Sequence, residues 1–242
     1  MAFSLENEMI PIIKSQYKQF INKSSLSPIA YAEELPVNYR IVDLVFAPMQ
    51  TSVEVLNSID EYKKSLKKLN MSQLDVLSIF MMNPKRTSIH QLSKILRMKP
   101  EKIHSDYINW FLELKLIQRK SRYIYTSTDW ASVYPQYVVA IEAKLTKWQE
   151  ALEQAIYNLN FADYSYVAMD HRMNFRQDIV EKFINANVGL LSVGENNKVT
   201  VIYKPKKNRS FRYSDFRLQR LRLCRDLICK NSKWNLINIP GE

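Results

Sequence analysis

The chain has 242 residues, 46% hydrophobic and 24% charged, a balance that excludes disorder and allows one large domain or two modest ones without covalent staples. Thirty-five Lys and Arg against 24 Asp and Glu leave a formal net charge of +11, which favours an anionic partner: nucleic acid, or an anionic membrane surface. No apolar run is long enough to cross a bilayer, and the first residues carry Glu6 and Glu8 in place of a basic and then apolar segment, so a cytoplasmic protein with no membrane span is expected.

Between residues 5 and 20, Met9, Ile10, Ile12, Ile13, Tyr17 and Phe20 recur at helical spacing and predict an amphipathic first helix. Two β-rich runs follow, 28–37 and 39–47, which read as an antiparallel pair. A lysine-rich stretch over 53–69, with Ser52 as N-cap, predicts a linking helix. Further helices are expected over 71–82, ending at Asn83-Pro84, over 88–98, and over 100–116 with Pro100 in the first turn. Residues 117–125 look like a short basic hairpin, and three helices followed by such a hairpin suggest a winged helix. Beyond Pro135 the order is a strand over 137–145, a helix over 148–161 and a strand over 164–169, a β-α-β unit. A helix over 175–186, strands over 190–193 and 198–203, and a basic helix from about Ser214 complete the chain. Cys224 and Cys229, five apart in that last helix, read as core thiols in a reducing compartment.

Chemistry is concentrated on the strand Val138-Val139-Ala140-Ile141-Glu142-Ala143-Lys144. Residues i and i+2 of a strand share a face, so Glu142 and Lys144 project together. A carboxylate can hold a divalent cation that polarises a phosphate and lowers the pKa of a bound water, and a nearby ammonium can orient that water or stabilise developing charge. Arg40-Ile41-Val42-Asp43-Leu44-Val45 sets a second acid into an otherwise apolar strand, where an unpaired buried charge is costly. Two acids and a lysine would make a magnesium site.

These residues resemble the PD-(D/E)XK nuclease superfamily, whose fold is shared by many restriction, repair and recombination nucleases. Arg40-Ile41-Val42-Asp43 looks like the strand bearing the metal-binding aspartate, and Glu142-Ala143-Lys144 like the (D/E)XK strand. Gln154 sits where many members have a helical glutamine facing the site, and Phe161 to Ala168 resembles the fourth core strand. The resemblance covers about 5–47 and 135–203, with the middle of the chain as an insertion that accounts for the long separation of Asp43 from Glu142. It implies Asp43, Glu142, Lys144 and Gln154 as catalytic residues, Asp43, Glu142 and Ala143 as metal ligands, and Mg²⁺ or Mn²⁺ as cofactor. It also implies a first-helix carboxylate, Glu8 and then Glu6. Glu33 and Glu34 would substitute for Asp43 if the insertion were misread, although Tyr31-Ala32-Glu33-Glu34 reads more simply as a solvated strand edge.

In a winged helix the recognition helix enters the major groove and the hairpin lies along the backbone or minor groove. Here that helix begins at Pro100, and Lys99, Lys102, His104, Ser105 and Asn109 are side chains able to reach phosphates and base edges. Arg119, Lys120 and Arg122 would form the wing. Trp110 and Phe111 read as core, and His90, His104 and His171 as surface polar residues, none with a metal partner at ligand spacing. Between Lys204 and Lys233 eleven cations stand against two acids. The helix there carries an apolar stripe, Phe216, Leu221, Cys224, Leu227 and Ile228, expected to pack while the other face displays arginines, among them Arg217 and Arg220, to phosphates.

The expected architecture is α/β: a restriction-endonuclease-like mixed sheet flanked by helices (1–49 and 132–242), interrupted by a linking helix and a winged helix-turn-helix domain (50–131). The expected function is a magnesium-dependent DNA endonuclease, a phosphodiesterase acting on duplex DNA. The rivals are a catalytically inactive nuclease-like DNA-binding protein, a regulator or assembly factor, and an RNA-directed protein. Double-strand cleavage with one such site per chain would call for a homodimer or two sequential nicks.

Overall fold

The structure is a computed structural model and describes residues 3–21, 28–37, 39–49, 60–81, 83, 85–194, 196–209, 214–229 and 233–237. Ser52 and the first part of the expected linking helix lie outside these residues. In chain order, helix α1 (Met9–Ser15) precedes the hairpin β1 (Ile29–Val37) and β2 (Arg40–Pro48). Helices α2 (Asp60–Lys67) and α3 (Met71–Phe80), the short strand β3 (Thr87–Ser88) and helix α4 (Ile89–Leu96) follow. Pro100–Ile103, a π-helical segment His104–Ile108 and Asn109–Glu113 run on as one helix, α5, into β4 (Ile117–Ser121) and β5 (Ile124–Ser127). The rest of the chain forms β6 (Val139–Lys144), α6 (Trp148–Asn158), β7 (Tyr164–Asp170), α7 (Gln177–Ala186), β8 (Gly189–Gly194), β9 (Lys198–Tyr203), α8 (Ser214–Ile228) and β10 (Trp234–Ile237).

These elements make two compact units. One comprises Met1–Pro48, Gln136–Ser210 and Lys233–Glu242; the other comprises Met49–Pro135 and Phe211–Ser232. The first unit is built on a mixed seven-stranded sheet of order β10-β1-β2-β6-β7-β8-β9. Strands β6, β7 and β8 are parallel because α6 and α7 are their crossovers, and all other pairings are antiparallel. Burial on both faces explains why β6 reads as an almost continuous apolar run. On one face Leu44, Phe46, Ile141 and Tyr166 bury against Met9, Ile13 and Phe20. On the other, Val167, Met169 and Leu190 meet Ala151, Ala155 and Phe183 of the crossover helices. Gly189 is required by this packing, since a Cβ there would collide with the Tyr166 ring.

Two elements depart from expectation. The first helix is not continuous over 5–20: only seven residues are α-helical, with single 3-10 turns, Glu6–Glu8 and Tyr17–Gln19, on either side. Strand β10 was not foreseen at all, because its pairing with β1 depends on a partner some 200 residues away; the register is Ile29 to Ile237 through Ala32 to Trp234.

The second unit contains a three-stranded antiparallel sheet of order β3-β5-β4 and helices α2 to α5 and α8. Leu74, Leu77, Phe80, Leu92, Phe111 and Trp130 are buried, and Phe80 meets Phe111 edge to face at 6.4 Å. Phe111 is therefore core, while Trp110 is half-buried. Trp130 Nε1, in the 3-10 turn after β5, donates to the Leu116 carbonyl at 2.6 Å, tying the segment that leaves the hairpin to the junction between α5 and β4. Helix α8, assigned from sequence to the last domain, groups instead with this unit and packs on α2 and α3. Its Phe216, Leu221, Leu223, Cys224 and Ile228 are buried. Both thiols have pKa values raised by burial, Cys224 to about 12, as expected of core sulfurs.

Candidate functional site

The sheet brings Asp43 and Glu142 together. β2 and β6 pair through Phe46–Val139, Val45–Ala140 and Leu44–Ile141, and the ladder stops there, one step short of Asp43 and Glu142. Where the strands part, the Asp43 side chain takes over the role of a backbone acceptor: its Oδ2 receives the Ala143 N–H at 2.8 Å, across 100 residues of sequence. On the other side of β2 the β1–β2 register is continuous except at Glu34, opposite Asp43. Glu34 holds φ at 48°, a left-handed conformation that costs a non-glycine residue of order 1–3 kcal/mol and is concentrated at functional sites.

Glu142 is only 3% exposed. Its Oε1 accepts the Asn158 Nδ2–H at 2.6 Å, and it shares a hydrogen bond with Asp43. Burial first, and then the Asp43 charge, push its pKa up to about 8. Burial likewise raises that of Asp43, against the pull of the Ala143 N–H and the Lys144 charge. Two carboxyls this close cannot both ionise cheaply, so the pair holds a shared proton more tightly than a lone carboxyl would.

Lys144 extends from the same strand to Glu6 Oε2, 2.9 Å from its Nζ. Burial opposes its charge, but the Glu6 hydrogen bond and the Asp43 charge outweigh it and hold its pKa above the ordinary lysine value. The N-terminal carboxylate that reaches the site is thus Glu6, not Glu8. Glu8 faces away, accepting from Ser4 N at 2.8 Å, Ser4 Oγ at 2.9 Å and Leu5 N at 3.3 Å, which lowers its pKa and caps the start of the helix. The 3-10 turn sets this choice, since it changes which of the two acids faces the sheet.

Gln154 is half-buried, and its Oε1 is enclosed without a hydrogen-bond partner among the described residues. The contact to Glu142 comes from Asn158, one helical turn later and missed in the sequence; its signal was the i+4 spacing from Gln154. A cleft of ≈ 560 Å³ opens beside Asp43 and Ala143, lined also by Glu6, Glu33 and Glu34. Glu33 is paired with Lys14 at 2.6 Å and Glu34 is exposed, while Asp43 is the acid that meets the Ala143 N–H.

No three His, Cys, Asp or Glu side chains among the described residues converge as a metal-ligand set. The donor chemistry nonetheless fits a hard divalent cation, because Mg²⁺ is commonly held by one or two carboxylates with the rest of its shell from water and phosphate. Burial is the main cause of both raised pKa values, and on Glu142 the Asp43 charge adds a repulsion that a bound cation would relieve.

In the second unit Lys99, Lys102, Asn109, Arg119, Lys120 and Arg122 are exposed. Ser105 is exposed too, but its hydroxyl donates to the Lys102 carbonyl and to Asp106. His104 is half-buried, its ring 6.5 Å from that of Tyr125. The expected display of Arg217 and Arg220 is overturned: they are 7% and 2% exposed. Arg220 donates to the Pro135 carbonyl at 3.2 Å and stacks over Tyr134 and Phe216. The reason is spacing, since 217, 220, 221, 224 and 228 form one helical stripe, so these arginines lie on the packed face with Leu221 and Cys224. No helix among the described residues is long and apolar enough to cross a membrane. No family model matches the chain, and neither a curated protein nor a solved structure does.

Proposed function

We propose that the chain is a Mg²⁺- or Mn²⁺-dependent DNA endonuclease of the PD-(D/E)XK type, a restriction-endonuclease-like domain interrupted by a winged-helix domain. The observation that carries this reading is the carboxyl pair of Asp43 and Glu142, assembled from strands distant in sequence, with the Lys144 ammonium on the same strand. Asp43, Glu142 and the Ala143 backbone would hold the cation. When bound, it would supply Lewis-acid activation of the phosphate and of a water. Lys144 remains an ammonium in this environment, so its part is to orient the attacking water and offset developing charge, not to abstract a proton. Asn158 holds Glu142 in register, the part the resemblance gave to Gln154 one turn earlier on α6.

The order α3-β3-α4-α5-β4-β5, with β3 closing the hairpin, supports a winged helix. Lys99, Lys102 and Asn109 on α5 and Arg119, Lys120 and Arg122 on the hairpin are the exposed groups for duplex DNA.

A second reading, a nuclease-like DNA-binding protein without turnover, draws on the ion pair that occupies Lys144. One experiment separates the two: plasmid DNA is incubated with the protein and Mg²⁺ or Mn²⁺, alongside Glu142→Ala and Lys144→Ala. Metal-dependent nicking lost in both variants supports the endonuclease; DNA binding without cleavage, or equal cleavage by the variants, rejects it.

A further inference from the structure

Charge is shared unevenly between the two units. The second, Met49–Pro135 and Phe211–Ser232, carries 20 Lys and Arg against 10 Asp and Glu, so nearly all of the net +11 belongs to it. Within that unit the acids are confined. None lies between Asp75 and Glu101 or between Glu113 and Asp129, although the first stretch holds five Lys and Arg and the second four. The fold joins these stretches: β3 pairs with β5 through Thr87–Tyr125 and Ser88–Ile124, and the Ile89 N–H donates to the Tyr123 carbonyl at 3.0 Å. The β4–β5 tip is thereby held against the start of α4, where the Tyr123 ring lies 5.7 Å from that of His90 and 5.1 Å from the Arg122 guanidinium. From His90 an exposed row continues through Lys94, one turn on, to Arg97. Arg97 closes α4 with φ at 52°, a left-handed conformation that glycine or asparagine adopts more cheaply. Helix α5 is different in kind, exposing Glu101, Asp106 and Glu113 against a single lysine, Lys102.

We infer that the hairpin tip and α4, not α5, grip the phosphate backbone of duplex DNA, with Arg122, Lys94 and Arg97 each meeting a phosphate. Cations unopposed by acids attract a polyanion without paying for repulsion, whereas the three acids on α5 repel it, which leaves α5 to the base edges. From His90 to Arg97 the row runs ~10 Å at ~1.5 Å per residue, the length of about three phosphates on one strand at ~3.4 Å each. Ile95 is the one large aliphatic exposed on α4, too little apolar surface for a membrane interface. The choice of ligand rests on the DNA-binding part of the proposed function, but this grip does not require turnover.

The test measures fluorescence anisotropy of a labelled duplex with the full chain in a Glu142→Gln background, so that binding is read without cleavage. The double change Lys94→Gln/Arg97→Gly suits the fold, since glutamine keeps the helix and glycine accepts the left-handed φ. It should lower the salt slope by about two and weaken binding roughly fiftyfold at ~0.1 M salt, where each counterion released is worth close to tenfold. Arg97→Lys keeps the charge and should stay within about threefold. Lys198→Ala/Lys206→Ala removes the same charge from exposed positions on the first unit and should leave the slope unchanged. An unchanged slope in the double variant overturns the inference, as does an equal loss in the first-unit control or failure of the parent protein to bind duplex at all. Tighter binding of single-stranded RNA, or of phosphatidylserine vesicles, than of duplex at equal salt also overturns it. Cleavage by the wild-type chain is scored separately. A weakened double variant with no wild-type cleavage upholds the grip and rejects the endonuclease; wild-type cleavage with normal binding by the double variant does the reverse.

Discussion

Glu142→Gln should stabilise the metal-free protein at alkaline pH while abolishing the proposed cleavage. Glutamine keeps the oxygen that accepts from Asn158 and offers Asp43 a permanent N–H in place of the shared proton. Glu142 has its folded pKa raised from 4.5 to about 8, so its contribution to stability is fully present below the unfolded value and is lost as pH rises through the folded one. At 1.36 kcal/mol per unit the shift corresponds to a cost of up to ~4–5 kcal/mol on full ionisation. Water entry to the cleft reduces this, leaving about 2–4 kcal/mol as the working figure. At ~2–4 °C per kcal/mol for a chain of this size, the wild-type calorimetric midpoint in EDTA should fall by roughly 5–10 °C more than that of the variant between pH 4 and pH 9. Saturating Mg²⁺ at pH 9 should recover ~2–3 kcal/mol in the wild type alone, as expected for a ligand at about 100 times its Kd. Parallel pH profiles for the two proteins would refute the shared-proton pair, and a Mg²⁺ response in both would refute its part in binding metal.

Glu6→Gln should loosen Lys144 and slow cleavage roughly ten- to a hundredfold, the range a small misplacement of a catalytic group produces, whereas Glu8→Gln stays within about twofold; steady-state nicking rates decide, and equal effects would show that the Glu6 contact is incidental. Arg220→Ala should destabilise the second unit by ~2–4 kcal/mol by opening a cavity and stranding the Pro135 carbonyl, with no change in the salt slope of DNA binding. The triple change of Arg119, Lys120 and Arg122 to alanine should do the opposite, leaving thermal midpoints within about 2 °C while reducing that slope by ~2–3.

What the sequence made legible was whatever depended on local pattern. β2 and β6 stood out because each interrupts an apolar run with a single acid, and such an acid must be compensated; the α/β order followed from the alternation of strand and helix periods after Pro135. Glu6 could not be told from Glu8, because the choice depends on a 3-10 turn that a smooth helical pattern hides. Arg217 and Arg220 were misread because the tail was weighed by charge; their spacing from Leu221 and Cys224 already put them on the buried stripe. Asn158 was within reach, one turn beyond Gln154, but asparagine in a helix gives no strong signal. β10 was out of reach, since a four-residue edge strand is defined by its partner and not by its own composition.

The two ends of the 49–135 excursion adjoin in the first unit. Gln136 N donates to the Pro48 carbonyl at 2.8 Å, so the chain leaves and re-enters the seven-stranded unit at a single hydrogen bond. A folded excursion with adjoining ends adds little strain to its host, and a turn of about four residues could span the same gap. Replacing 49–135 by such a turn should nevertheless fail, because the second unit also owns Phe211–Ser232. Helix α8 would then present Phe216, Leu221, Leu223, Cys224 and Ile228 to water, at ~1.5–3 kcal/mol for each large apolar side chain. That single excision should give an aggregating, dye-binding protein in size-exclusion and ANS assays. Removing 211–232 as well, with a Gly/Ser linker in its place, should restore a monomer that retains the far-ultraviolet signature of the mixed sheet and, with Mg²⁺, the stabilisation that depends on Glu142. A soluble, ANS-silent single excision would refute the assignment of α8 to the second unit, because its apolar stripe would then have found cover without α2 and α3.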